Sequence, residues 1–416
     1  MPRARTLTIA ALLWVAAGIA RAEAPDCPPV EPGIELSGEA AADGAPASVL
    51  VILPKGADGA VSSAGLALAP GARVVESRWS ALLCATIARI EGPPGAAPAA
   101  LVVSLPENAA AVQDDVYETQ AEPEESAAPK SATAAGLDPY RKQQWAFDAL
   151  GLDAAHRITR GENVRVALLD SRTNVEHEDL RAVALIENDT NGASGAAAQH
   201  GTLVAGIIGA SMGNGAGIAG VAPRAIVLAI PVCQASARGD LCRLYGVLGG
   251  LDLAWGQRAQ VVNISLVGPA NRALERAVRR LDTLGVAIVG ASGNRASSVP
   301  AYPAAYPWVI GVAAADRSRR LAPTGASVDL TAPGVEILST AANGGYAFAS
   351  GSSLAAAHAS GALALLTSAS GGDVGAARRA LFGAAQRSSA TTPPALAPLC
   401  RALAKLAKPC GDVGSR

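Results

Sequence analysis

Three short segments carry, in chain order, an acid, an imidazole and a hydroxyl. Leu168-Leu169-Asp170-Ser171 places a carboxylate at the end of an apolar run. His200-Gly201-Thr202-Leu203-Val204-Ala205-Gly206 opens an apolar helical stretch with a histidine framed by glycine. Ser350-Gly351-Ser352-Ser353-Leu354-Ala355 puts a serine at the first turn of another apolar helix. Together the three groups can do nucleophilic acyl chemistry. A serine is a weak nucleophile until a base takes its proton, and the base needs an acid to fix its tautomer. The free N–H groups of a first helical turn can also stabilise an oxyanion formed beside them.

Each residue also has a plainer reading. Aspartate at a strand end serves turn chemistry, and serine before a helix is a favoured N-cap. A lone histidine is more often a cap or a core residue. The four histidines here are His156, His177, His200 and His358, and only His200 has so glycine-rich a frame.

The elements that must position these groups follow from hydrophobic pattern. Strands are expected at Val164–Leu169, Ala225–Val232, Val261–Ser265 and Val286–Gly290. Helices are expected at His200–Ala210, Leu244–Gln257, Ala273–Leu284 and Ser353–Ser368. Apolar strands alternating with helices imply an α/β fold, a parallel sheet with helices on both faces, over residues 138–388. Such sheets carry their sites at the carboxyl ends of strands. A small α+β unit is expected before it, with strands at Ser48–Leu53, Ala72–Glu76, Ala85–Ile90 and Ala110–Tyr117, and a helix at Pro98–Leu105. Residues 120–137, rich in Ala, Glu, Pro and Ser, read as a flexible linker.

Taken together, the motifs resemble the subtilase family of serine proteases. The order Asp, His, Ser is that of subtilisins and differs from that of chymotrypsins and α/β-hydrolases. His200-Gly-Thr-x-Val-Ala-Gly206 is similar to the family's histidine segment, and Gly351-Ser-Ser-Leu-Ala-Ala-Ala-His358 resembles its serine segment. Asp170-Ser171 with Glu178-Asp179-Leu180, Gly217–Pro223, Asn263–Leu266, Ser292-Gly293-Asn294, Tyr302–Ala304 and Ala332-Pro333-Gly334 are also similar. The resemblance implies a secreted serine endopeptidase with Asp170, His200 and Ser353 as triad and Asn294 as oxyanion donor. It implies a substrate strand at Ser265, Leu266 and Val267, with Gly293 and Arg295 nearby. The reaction it implies needs no cofactor. A structural calcium at the loop 211–217 has only Asn214 as a clear side-chain ligand, which is poor support.

The resemblance also gives residues 23–119 a role, as a propeptide that inhibits the enzyme until it is cut between Tyr117 and Gly136. The alternative is a permanent accessory domain. Arg3, Arg5, the apolar run Leu7–Ala20 and Ala20-Arg21-Ala22 read as a signal peptide over residues 1–22, or else an uncut anchor helix. No later run is long enough to span a membrane. The partners that the resemblance implies are protein or peptide substrates and the chain's own N-terminal domain. A net charge of −1 gives no basic footprint for nucleic acid. Six cysteines in an exported chain suggest disulfides, with Cys233–Cys242, Cys400–Cys410 and Cys27–Cys84 the favoured pairs among several connectivities. Residues 389–416 form a tail with a short disulfide-tied helix at Pro398–Pro409.

Some positions depart from the family pattern. Arg172 stands where glycine is usual, which raises the question of a backbone conformation that arginine tolerates poorly. Ala357 replaces proline, Ser352 replaces threonine, and Leu203 stands where a second histidine is common. Leu321-Ala322-Pro323 also differs. Val267 replaces glycine in the primary pocket and is expected to favour small residues there. Arg295 is expected to disfavour basic ones, or else simply faces solvent. Two competing readings are a catalytically impaired, protein-binding subtilase relative and an esterase on another fold. The second lacks a Gly-x-Ser-x-Gly elbow.

Overall fold

The computed structural model describes residues 29–36, 46–54, 66–106, 108–119, 122–127, 138–188, 199–236, 239–386 and 393–410. The expected signal segment and Cys27 lie outside the described residues, as does most of the expected linker.

Short apolar strands rich in Val, Ile and Ala pair into one parallel sheet of seven. In spatial order these are Ala184–Leu185, Ile226–Pro231, Arg165–Asp170, Val261–Ile264, Ala287–Ala291, Val309–Ala315 and Leu330–Pro333. The strand Arg165–Asp170 is an interior strand, third in this order, and fully buried over its last five residues. Parallel strands need helical crossovers, and these cover both faces. One face packs against Gln199–Gly209 and Ser352–Ala369. The other packs against Leu244–Gly256 and Arg272–Thr283. The α/β architecture expected from the sequence is therefore present, with element boundaries shifted by at most one residue.

The helix Ser352–Ala369 runs through the core. Every residue from Ser352 to Thr367 is buried. A helix buried all round must be thin, and this one is built from Ala, Gly and Ser with Leu at intervals. Ala357, where the family has proline, sits at 0% exposure among other core alanines.

The N-terminal unit departs from expectation. Its main sheet has five strands, Gly33–Glu35, Ala110–Gln113, Pro46–Pro54, Ala85–Pro94 and Arg73–Ser80. The helix expected at Pro98–Leu105 is a 3-10 turn at Pro98–Ala100 followed by a strand at Val102–Ser104. Pro98 stands at the first turn, where proline is tolerated, and the β-branched pair Val102-Val103 just after it favours a strand over continued helix. The strand expected at Ala110–Tyr117 is broken at Asp114-Asp115 into Ala110–Gln113 and Val116–Thr119. Part of the expected linker, Glu122–Ala127, is a strand paired with Tyr346–Ser350.

Those two aspartates join the units. Asp114 accepts hydrogen bonds from Ser48 Oγ at 2.8 Å and from the Tyr245 N–H at 3.0 Å. The Asp115 carbonyl accepts from the Leu244 N–H at 2.8 Å. The N-terminal unit thus satisfies two open donors at the start of the helix Leu244–Gly256. Arg78 pairs with Asp252 on the same helix. The pairs Cys233–Cys242 and Cys400–Cys410 form as expected, and the tail helix spans Leu399–Lys405.

His358 lies within the core helix, with Nδ1 2.8 Å from the Leu354 carbonyl. Burial pushes its pKa down to about 4, against a partial pull upward from hydrogen bonds to the Leu354 and Pro333 carbonyls. Between pH 6.5 and 4 the unfolded chain binds a proton that the folded chain refuses. Stability from this group is therefore full above about pH 6.5 and falls as pH drops, by about 3 kcal/mol at pH 4. Urea unfolding of the parent and of His358→Gln at several pH values checks this. The variant is expected to show a shallower loss on acidification.

Candidate active site

Asp170 ends the interior strand Arg165–Asp170. Its Oδ1 lies 2.6 Å from His200 Nδ1 and accepts from the Ser171 N–H at 2.7 Å. Both side chains are buried, at 1% and 7% exposure. With Nδ1 donating to a carboxylate, the neutral imidazole keeps its lone pair on Nε2, where it can take a proton. Ser171 adds a second tie, since its Oγ accepts from the Gly201 N–H at 3.0 Å. The strand end and the start of the histidine helix are therefore held together directly.

That helix is also fixed from its other side. Thr340 Oγ1 donates to the Thr202 carbonyl at 2.7 Å, and Ser339 Oγ donates to the Leu203 carbonyl at 2.6 Å. Leu203 itself is buried.

Ser353 occupies the first turn of the core helix. The Gly351 N–H donates to the Gly334 carbonyl at 2.7 Å, which accounts for the Ala332-Pro333-Gly334 motif. The Ser352 N–H donates to Asn294 Oδ1 at 2.8 Å, and Ser352 Oγ accepts from the Gly293 N–H at 3.1 Å. The Asn294 carbonyl oxygen faces Ser352, so the donor end of its amide, the NH2, points away from that N–H. The Ser352 hydroxyl, read from the sequence as a mild replacement for threonine, is what ties Gly293 to the helix.

Ser353 Oγ donates to the Ser265 carbonyl at 3.2 Å. Among the described residues His200 Nε2 has no hydrogen-bond partner. The structure therefore joins Asp170 to His200, and Ser353 to the strand expected to bind substrate. Ser265 and Leu266 are fully buried and Val267 is half-buried. Asn263 Nδ2 donates to Ser265 Oγ at 2.8 Å, and Ser360 Oγ donates to Asn263 Oδ1 at 2.9 Å. Gly293 is buried with φ at +93°, a conformation that favours glycine. Arg295 is exposed.

Arg172 does not have a positive φ, so the feared strain is absent. Its guanidinium pairs with Glu187 at 2.7 and 2.9 Å.

The residues around the loop 211–217 do not fit a cation. Asp179 Oδ1 accepts from Asn214 Nδ2 at 2.8 Å, and Oδ2 accepts from the Ile218 N–H at 2.9 Å. The Tyr346 hydroxyl lies 2.9 Å from the same Oδ2 and 3.0 Å from Glu178 Oε1. Asn214 Oδ1 accepts from the Ala216 N–H. Donors thus face the carboxylate where a cation would need bare oxygens.

The architecture and this site belong to a known class of serine hydrolase. Residues 161–391 match the subtilase family, and the chain belongs to it. Among curated relatives, thermitase from Thermoactinomyces vulgaris is 34% identical over 241 residues, covering 56% of this chain and 85% of thermitase. Minor extracellular protease Epr from Bacillus subtilis is 37% identical over 238 residues, covering 54% of this chain and 35% of Epr. Subtilisin E from Bacillus subtilis is 35% identical over 219 residues, covering 50% of this chain and 56% of that protein. The matched part thus spans most of thermitase but only about a third of Epr and about half of subtilisin E.

Gly201 shows how tightly the site is built. A Cβ there would lie 2.2 Å from the Ser171 carbonyl oxygen, a backbone atom that cannot swing away. Gly201→Ala is expected to push the histidine helix off the aspartate strand. A displacement of about 1 Å costs on the order of a hundredfold in rate. Steady-state kcat/KM measured beside thermal unfolding checks this; wild-type activity in the variant would contradict the account.

Proposed function

We propose that the chain is a serine endopeptidase, exported as a zymogen that cuts itself. The observation that carries the activity is the buried 2.6 Å contact between Asp170 and His200, in a chain with Ser353 at the head of the core helix. In this reading the Ser353 hydroxyl rotates from the Ser265 carbonyl and gives its proton to His200 Nε2 as Oγ attacks the peptide carbonyl. Asp170 holds the Nδ1 proton and stabilises the imidazolium. The Asn294 NH2 and the Ser353 N–H receive the oxyanion. His200 then protonates the leaving amine, and water releases the acyl group by the same steps in reverse order. Val267 and Arg295 are the proposed determinants beside the cut bond.

The N-terminal unit is proposed as an intramolecular inhibitor. What supports this is the path of its last strands. Thr119 and Glu118 pair antiparallel with Leu266 and Val267, and Tyr117 and Val116 pair with Cys242 and Arg243 on the opposite side. The Tyr117 ring is buried and lies against Gly268, where a Cβ would come within 2.3 Å of it. Beyond, Glu122 pairs with Ser350, three residues before Ser353. Thr119 and Glu122 thus flank the nucleophile, and self-cleavage is proposed at the middle of the three peptide bonds between them. Export is supported by the relative named as extracellular. In addition, no helix among the described residues is long and apolar enough to cross a membrane.

A protein-binding role without catalysis has one observation in its favour, the Ser353 hydroxyl bonded to Ser265 and not to His200. One experiment separates the two. The exported chain and Ser353→Ala are treated with a fluorophosphonate probe, and their N-termini are read. Labelling of the parent alone, with a new N-terminus between Thr119 and Glu122, is expected, and Ser353→Ala should lose activity by on the order of a million-fold. A folded parent that neither labels nor processes would move the assignment to the binding role.

We also propose that no calcium is held at the loop 211–217, since the Tyr346 hydroxyl and its neighbouring donors satisfy Asp179. Chelation is expected to leave the melting temperature unchanged. Tyr346→Phe is expected to lower stability by about 1–3 kcal/mol, the cost of unsatisfied buried acceptors. A drop of several degrees on chelation, reversed by calcium, would overturn this.

A further inference from the structure

One wall of the cleft carries an acid that no motif in the sequence singles out. The strand Gly239–Arg243 forms a hairpin with Gln234–Ser236. The disulfide Cys233–Cys242 ties the base of that hairpin to the end of the sheet. Side chains alternate along a strand. Cys242 points into the protein, with no exposure, so Asp240, two residues away, shares its inward face. There Asp240 stands within electrostatic reach of Asp170, Ser171 and His200. Burial and the charge of Asp170 push its carboxyl above the ordinary range, and Ser171 and His200 pull it part of the way back. No Lys or Arg among the described residues forms an ion pair with it. Two acids thus stand near each other at the triad, and no cation of the described chain answers the outer one.

The ladder register tells which substrate residue meets this acid. Cys242 pairs with Tyr117 in antiparallel sense. Carried two residues further, the same register sets Asp240 opposite Thr119, which itself pairs with Leu266 on the other wall. Directly opposite residues in an antiparallel pair project to one face. Thr119 is half-buried between an exposed Glu118 and the preceding buried Tyr117, so its side chain also faces inward. A side chain in the place of Thr119 therefore lies beside the Asp240 carboxylate.

We propose that Asp240 is a specificity residue, selecting substrates with lysine or arginine at the second position before the cut bond. This rests on the endopeptidase reading above and on the proposed cut site. A long cationic side chain supplies a counter-charge that no described residue gives this carboxylate, and it reaches it while its methylene stem stays against the wall. An acid there meets two like charges at close range and is rejected.

The test uses the self-processed protein and a set of peptides that differ only at that position, with Lys, Arg, Ala or Glu. For the parent, kcat/KM is expected to be about tenfold higher with Lys or Arg than with Ala, and lowest with Glu. In Asp240→Asn the Lys-to-Ala ratio should fall to near one, and in Asp240→Lys the order of Lys and Glu should reverse. A parent that cleaves the Ala and Lys peptides equally well overturns the assignment of Asp240 while leaving the peptidase intact. So does a Lys preference that survives in Asp240→Asn. A parent that cleaves none of the peptides and does not label with the probe overturns the peptidase reading itself, and this inference with it.

Discussion

A carboxylate at the buried end of a β-strand needs hydrogen-bond donors, and the site is arranged around that need. Asp170 meets it with a neighbouring N–H and an imidazole. Because the donors come from the strand end and from the first turn of a helix, the bond fixes where that helix begins. The helix carries its own constraint, held at the Thr202 and Leu203 carbonyls by Thr340 and Ser339. An error in either tie would reach the imidazole directly.

The serine side of the site depends on thinness. In a chain with only 3% aromatic residues the core is filled by many small side chains, which lets a complete helix pass through it. Ser353, the proposed nucleophile, sits at the head of that helix, so its position is set by an element buried throughout from Ser352 to Thr367. Asn294 is then fixed from the same helix by the Ser352 N–H. The groups proposed to attack and to receive negative charge thus share one rigid support, as preorganised electrostatics requires.

Much of this was legible in the sequence because the relevant signals are local. Apolar runs such as Val166–Leu169 and Val261–Ile264 mark buried parallel strands, and Gly-framed polar residues at their ends mark the site. What sequence could not show depends on contacts between distant segments. Asp114-Asp115 looks like part of a strand until the helix start at Leu244 is known to need acceptors. The strand at Glu122–Ala127 has the composition of a linker, and its order depends on an edge at Tyr346–Ser350 that it can pair with. Asp240 carries no motif, since its surroundings come from a hairpin, a disulfide and a strand from another unit. Arg172 shows the opposite error: the family's glycine suggested a special conformation, but the backbone there is ordinary and Glu187 accommodates the charge.

The non-primed side of the cleft is bounded by two strand edges, Gly239–Arg243 and Leu266–Val267, with room for one strand between them. Any guest must supply backbone donors and acceptors to both edges at once, over several residues. A helix cannot do so, because its backbone groups are already spent on itself. A strand within a folded sheet can do so only by leaving its neighbours. The cleft therefore reads the foldedness of a chain before it reads its side chains. Under the proposed activity, tails, loops and unfolding chains are the guests that present what it needs, as the strand Val116–Thr119 of its own N-terminal unit does.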